Sequence, residues 1–159
     1  MRIDNDDLTF ERDDLLLNIR VLLLIQYKDT FIFEHSRDGY YFAVGGRVKF
    51  GESSEESALR ELEEELNYED IDLRLLGLIE NYFEDADKRI HEINFVYNGV
   101  INAEIDFDKL ESAHQGYKTL SKSEINEVDI RPLALKEFIE KFTNGVEDAK
   151  GFIHLVNRD

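Results

Sequence analysis

Between Glu52 and Glu65 seven of fourteen residues are glutamate, and Ala58, Leu59, Leu62 and Leu66 are threaded among them. The leucines recur at i, i+3 and i+7, the period of a helix with one buried face, so the stretch predicts an amphipathic helix. Ser53 or Ser54 is placed to cap its start, and Asn67 stands where it should stop. Just upstream, Tyr40 to Val44 reads as a short apolar strand ended by Gly45-Gly46, two residues that let backbone turn or approach a ligand. Strand, glycine pair, short loop and acidic helix thus follow one another without a break.

The glutamates are not placed as helix stability alone would place them. Glu52, Glu55 and Glu56 face the positive end of the helix dipole and need no further reason. Glu61, Glu63, Glu64 and Glu65 crowd the negative end, where the Glu61/Glu65 pair costs roughly 0.2–0.5 kcal/mol. Glu61, Glu64 and Glu65 share adjoining parts of one helix surface, so their carboxylates can converge on hard cations that prefer oxygen ligands. Most acidic helices are simply solvated faces, and the cluster alone would be read that way. Arg60 can pair with Glu56 and Glu64, or reach Glu52 and hold the loop against the helix.

The rest of the chain predicts a sheet. Ile19 to Gln26 and Thr30 to Glu34 read as a hairpin across Tyr27-Lys28-Asp29, after an edge-like Leu8-Thr9-Phe10. Ile71 to Phe83 and Arg89 to Ile101 are the longest strand candidates, joined by the polar turn Glu84 to Lys88. Pro132 opens a second helix with Leu135, Phe138, Ile139 and Phe142 on one face, closed by Asn144-Gly145. Strands before and between two amphipathic helices predict a sheet covered by helices, within one domain of residues 1–159.

Composition narrows the chemistry. Without cysteine there is neither a disulfide nor a thiolate metal site, so a metal must be held by oxygen or by the four histidines. The formal charge of −17 repels nucleic acid polymers and anionic membranes. A small phosphorylated substrate remains compatible, because a cation neutralises carboxylates and phosphates at their contact. With no apolar run long enough to span a bilayer and no apolar leader at Met1 to Asp7, a cytoplasmic protein is expected.

Position by position, Gly46, Glu52, Arg60-Glu61-Leu62, Glu64-Glu65 and Tyr68 resemble the Nudix box, G-x5-E-x7-R-E-U-x-E-E-x-G-U, where U is a bulky apolar residue. Asn67 stands in place of the last glycine, and Val44 and Tyr41 in place of the usual proline and tryptophan before the box. The resemblance extends through Glu80-Asn81-Tyr82-Phe83 and His91-Glu92-Ile93 to Leu120-Ser121-Lys122-Ser123-Glu124-Ile125 and the closing helix. It implies an α/β/α sandwich with a mixed sheet, an α+β arrangement, in which Glu61, Glu64 and Glu65 bind magnesium or manganese together with a carbonyl near Gly45 or Gly46. Glu52 and Arg60 would fix the loop.

The implied activity is hydrolysis of a diphosphate linkage in a nucleoside triphosphate, or in a nucleoside diphosphate linked to another group. Its partner would be that small nucleotide, with a homodimer left open. The phosphoanhydride resists attack because its negative oxygens repel hydroxide, so cations and a positioned water are needed. Glu61, Glu80 and Glu92 are the candidate general bases, and Arg20, Arg47, Lys49 and Arg89 the candidate phosphate contacts. Tyr40, Tyr41, Tyr82 and Phe83 carry less weight as base-stacking residues, since strand aromatics are more often core. A noncatalytic Nudix-like binding domain is the alternative, and a plain acidic interaction domain a further one.

Overall fold

A computed structural model describes residues 4–145 and 151–158; Met1 to Ile3, where no apolar leader is expected, lie outside them. β1 (Thr9–Arg12), β2 (Leu15–Tyr27), β3 (Thr30–His35) and β4 (Tyr41–Arg47) precede α1 (Ser54–Leu66). β5 (Arg74–Asp85), β6 (Lys88–Ile101), β7 (Tyr117–Leu120), α2 (Lys122–Glu127), α3 (Ala134–Thr143) and β8 (Ile153–Arg158) follow. The strands form one mixed sheet in the order β7-β3-β4-β2-β6-β5-β8, with β1 added beside β2.

β2 is the axis of the sheet. Its whole length pairs in parallel with β6, while its other edge is shared in turn by β1, β4 and β3. Val21, Leu23 and Ile25 pack towards Ala58, Leu62 and Leu66 of α1, and Leu22 and Leu24 pack towards Ile125 of α2 and Leu135, Phe138 and Ile139 of α3. A strand buried on both faces reads as an unbroken aliphatic run, which is what Val21 to Ile25 is. Helices cover both faces of the mixed sheet, so the expected α/β/α sandwich is the observed one.

Several boundaries differ from the sequence expectation. Gly45-Gly46 do not end β4: the strand continues to Arg47, with Gly45 opposite Leu22 and Gly46 opposite Val21. Glycine is needed there for close approach, since a Cβ on Gly45 would lie 2.1 Å from the Val21 carbonyl oxygen. The buried stripe of α1 is Ser57, Ala58, Leu62 and Leu66, with Leu59 only half-buried. β5 starts at Arg74, and α3 starts two residues after Pro132. β7, α2 and β8 have no counterpart in the sequence expectation, because each offers only four to six residues to a periodicity argument.

Candidate active site

α1 is held at both ends by its own sequence. Ser53 accepts a hydrogen bond from the Glu56 amide at 3.1 Å, while Glu56 accepts from the Ser53 amide at 2.7 Å, a capping box. At the other end Asn67 takes the left-handed conformation (φ 52°, ψ 39°) that glycine would adopt more easily. The acidic surface between these stops lies against the last residues of β4.

Arg60 is the hub of that surface. Its Nε and Nη2 donate to the two carboxylate oxygens of Glu52 at 2.6 and 3.0 Å, and Nη2 also reaches the Arg47 carbonyl at 3.0 Å. Its Nη1 donates to Glu61 at 2.8 Å and to Glu64 at 3.4 Å. Glu52 in turn accepts from the Lys49 amide at 3.1 Å, which ties the loop to the helix. The paired guanidinium holds the Glu52 carboxyl below its ordinary range, and the same bond raises the Arg60 pKa. Glu56, the other partner open to Arg60, is engaged in the cap instead.

Glu61 and Glu65 sit deeper. The Glu61 carboxylate rests on the backbone of Gly46, where a Cβ would lie 2.2 Å from Oε1. β3 pairs with β4 only as far as Ala43, which leaves the Gly45 amide to donate to Glu65 Oε2 at 2.9 Å. Tyr117 of β7 donates its hydroxyl to Glu65 Oε1 at 3.3 Å. Burial pushes the Glu65 carboxyl up to about 8 and raises that of Glu61, with the neighbouring charge of Glu61 adding to the effect on Glu65. Burial, and then the charge of Glu65, raise the Tyr117 phenol.

The three carboxylates do not meet at one point, contrary to the convergence expected from their spacing. Among the described residues no three acidic or histidine side chains are gathered as a ready coordination shell. The reason is that each oxyanion takes the strongest donor in reach: Arg60 for Glu61 and Glu64, the Gly45 amide and Tyr117 hydroxyl for Glu65. The donor set nevertheless fits a hard divalent cation. It is all oxygen, two of its carboxylates are desolvated, the charge of Glu61 raises the proton affinity of Glu65 and that of Glu64 raises Glu61, and Gly46 leaves the space that Glu61 fills.

Beside this surface lies a cleft of about 300 Å³ lined by Asp4, Asp7, Arg20, Gly46, Arg47, Lys49, Arg60, Glu61 and Glu64. Arg20, Arg47 and Lys49 are therefore brought together with Glu61 and Glu64 of the box, and Arg89 is not: it is exposed and paired with Asp14 at 2.6 Å. Arg47 is buried, with Nε on Asn18 at 3.0 Å and Nη1 3.7 Å from Asp7, so it braces the cleft wall more than it offers a charge. Arg20 lies 3.7 Å from Glu92. Glu80 pairs with His154 at 2.8 Å, outside the cleft lining. Tyr41 stacks on His35, and Tyr82 lies between His91 and Arg158, so neither aromatic lines the cleft.

Asp7, Asn18, Glu34 and Tyr117 belong to the site without having been found in the sequence. Asn18 was detectable, because with Arg20, already a candidate, it interrupts one face of an otherwise aliphatic strand. Glu34, buried and bonded to the Ser112 hydroxyl at 2.6 Å, carries the same signal in β3. Asp7 and Tyr117 reach the site only through long-range pairing, which leaves no local trace.

A carboxylate-rich helix docked on a glycine strand end, beside a cleft with cations in its wall, defines a class of α/β/α sandwich suited to phosphate chemistry. Comparison makes the class specific: the family model for the NUDIX domain matches residues 15–144, and the chain belongs to that family. Among solved structures it is similar to the MutT protein from Methanosarcina mazei Go1 (25% identity, 81% of this chain and 94% of that one, TM-score 0.63). It is also similar to the E. coli dihydroneopterin triphosphate pyrophosphohydrolase (18% identity, 80% and 95% covered, TM-score 0.64). A third likeness is to a C. elegans Ap4A hydrolase (16% identity, 81% and 97% covered, TM-score 0.62). A search of curated proteins finds no match. No helix among the described residues is long and apolar enough to cross a membrane.

Proposed function

We propose that this chain is a magnesium- or manganese-dependent hydrolase of the diphosphate linkage in a nucleoside triphosphate, or in a nucleoside diphosphate joined to another group. One observation carries the reading: Glu61 and Glu65, two desolvated carboxylates of the box helix, lie against the backbone of Gly46 and Gly45, and Glu61 lines a cleft that also holds Arg20 and Lys49. Membership of the Nudix family, whose enzymes generally use divalent metal ions, supports it, as do solved neighbours named as a dihydroneopterin triphosphate pyrophosphohydrolase and an Ap4A hydrolase.

Glu61, Glu64 and Glu65 would hold the cation, with a carbonyl of the Gly45-Gly46 segment beside them. When bound, a divalent cation neutralises phosphate oxygens and activates water for attack on phosphorus. Arg60 keeps Glu52 and the loop in place while presenting Nη1 to Glu61 and Glu64, so those two side chains are held at the cleft before a cation arrives. Arg20, beside Glu92, and Lys49, paired with Asp4 and Asp6, are the cleft cations to which phosphates would turn in a chain whose overall charge is −17. Of the candidate bases, Glu61 lines the cleft, and Glu92 approaches it through Arg20.

A magnesium-dependent screen of nucleoside triphosphates and nucleoside diphosphate derivatives tests this directly. Released phosphate is read before and after phosphatase treatment. Turnover yielding a nucleoside monophosphate is expected; binding without turnover of any member would replace the enzyme with a noncatalytic nucleotide-binding domain.

A further inference from the structure

The sheet face opposite α1 carries a row of polar side chains where an apolar core would be expected. In register across four strands stand Asn157 of β8, Asn81 of β5, Glu92 of β6 and Asn18 of β2. All four are buried. Burying such groups is costly unless each finds a partner, so the order of donors and acceptors along the row carries information.

That order is one-way. The Ala134 amide, at the start of α3, donates to Asn157 Oδ1 at 2.9 Å. Asn157 Nδ2 then donates to Asn81 Oδ1 at 2.9 Å, and Asn81 Nδ2 donates to Glu92 Oε1 at 3.2 Å. The other oxygen of Glu92, Oε2, lies 3.7 Å from Nε of Arg20, whose side chain lines the cleft. A side-chain amide has one donor end and one acceptor end, so fixing the first link fixes every later one. Because a backbone N–H can only donate, Asn157 has to point its oxygen at Ala134 and its amide group at Asn81.

We propose that Asn157 is a positioning residue for the cleft: through Asn81 it fixes the carboxylate of Glu92, and through Glu92 the guanidinium of Arg20 that receives substrate phosphate. This rests on the reading of the cleft as a phosphate site. It also assigns a role to β8, which lies beyond residues 15–144 matched by the family model. β8 completes the site by setting hydrogen-bond direction from three strands away, without touching the cleft.

The polarity makes a sharp test in the 159-residue chain. In N157D the carboxylate still accepts from Ala134 but has no hydrogen to give Asn81. The Asn81 amide must then rotate, which turns its oxygen onto Glu92 and displaces Arg20. E92Q disturbs the other end, because Asn81 keeps donating to the introduced glutamine's oxygen and the glutamine amide faces Arg20. Combined, the two changes restore a consistent chain running in reverse. The introduced glutamine then donates to Asn81, Asn81 donates to the introduced aspartate, and the glutamine oxygen returns to Arg20.

Calorimetric titration with inorganic pyrophosphate in magnesium is therefore expected to show about ten-fold weaker binding in each single variant and recovery in the double variant. The substrate KM of N157D should rise in step, with kcat moving less. The Arg20 Nε–H resonance should shift in each single variant and return in the double one. Wild-type affinity in N157D, or losses that add in the double variant, overturns the proposal. Should N157D fail to fold alone, E92Q against the double variant carries the same test. If wild-type protein binds no pyrophosphate and turns over no nucleotide, the hydrolase reading fails. The Arg20 resonance then still decides the relay, present if it shifts and returns, refuted if it does not.

Discussion

Two adjacent glycines inside β4 do different work, and single methyl groups separate their roles. A Cβ on Gly45 would meet the Val21 carbonyl oxygen at 2.1 Å, fixed backbone inside the sheet, so the strand itself would have to move. A Cβ on Gly46 would meet the Glu61 carboxylate at 2.2 Å, the far end of a flexible side chain that can swing away. Gly45→Ala should therefore destabilise the fold by on the order of 3 kcal/mol in denaturant titration. Gly46→Ala should leave the denaturation midpoint nearly unchanged yet lower kcat by about ten-fold or more, because Glu61 is displaced from where it serves the site. Equal damage to stability in both variants would show that Glu61 is not what Gly46 makes room for.

At the scale of elements, α1 is the part whose ends were legible and whose side-chain geometry was not. Its cap, its stop and the Leu62 and Leu66 part of its buried stripe follow from Ser53, Asn67 and the leucine period, all local signals. Ser53→Ala removes the bond to the Glu56 amide and half of the capping box, and should cost about 1 kcal/mol of stability in chemical denaturation. Because the loop is separately tied by Glu52 to Arg60 and the Lys49 amide, activity per folded molecule should change little. The expected convergence of Glu61, Glu64 and Glu65 rests on helical spacing, which fixes where Cβ atoms point but not which donor each carboxylate will choose. Arg60 and the Gly45 amide decide that, and the second depends on where β3 stops pairing with β4. Longer elements are legible for the same reason α1 is: β2, β5 and β6 have twelve to fourteen residues each. β8 is short and lies at the sheet edge, and nothing in Ile153 to Arg158 alone announces that Asn157 belongs to a row reaching β2.

For the molecule as a whole, the buried site sets stability against function. Burial raises the Glu65 carboxyl from an ordinary value near 4.5 to about 8 in the metal-free fold. Between those limits the folded chain holds a proton that the unfolded chain has released, so stability is greatest below the lower value and falls as pH rises through the upper one. Glu65→Gln cannot ionise. Its oxygen can still accept from the Gly45 amide and its amide group can donate to the Tyr117 hydroxyl, so both existing contacts keep a partner. The metal-free variant should therefore be more stable than the parent chain at pH 8, with a flatter dependence of unfolding free energy on pH. Magnesium should reverse the order, since a cation that binds only the folded parent chain adds RT ln(1 + [L]/Kd), a gain the glutamine variant largely lacks. Thermal unfolding of both chains at pH 5 and pH 8, with and without magnesium, gives the four comparisons required. A glutamine variant that loses stability at pH 8 without metal would mean that the carboxylate is stabilised by its surroundings as an anion, and that the site is not strained towards a cation.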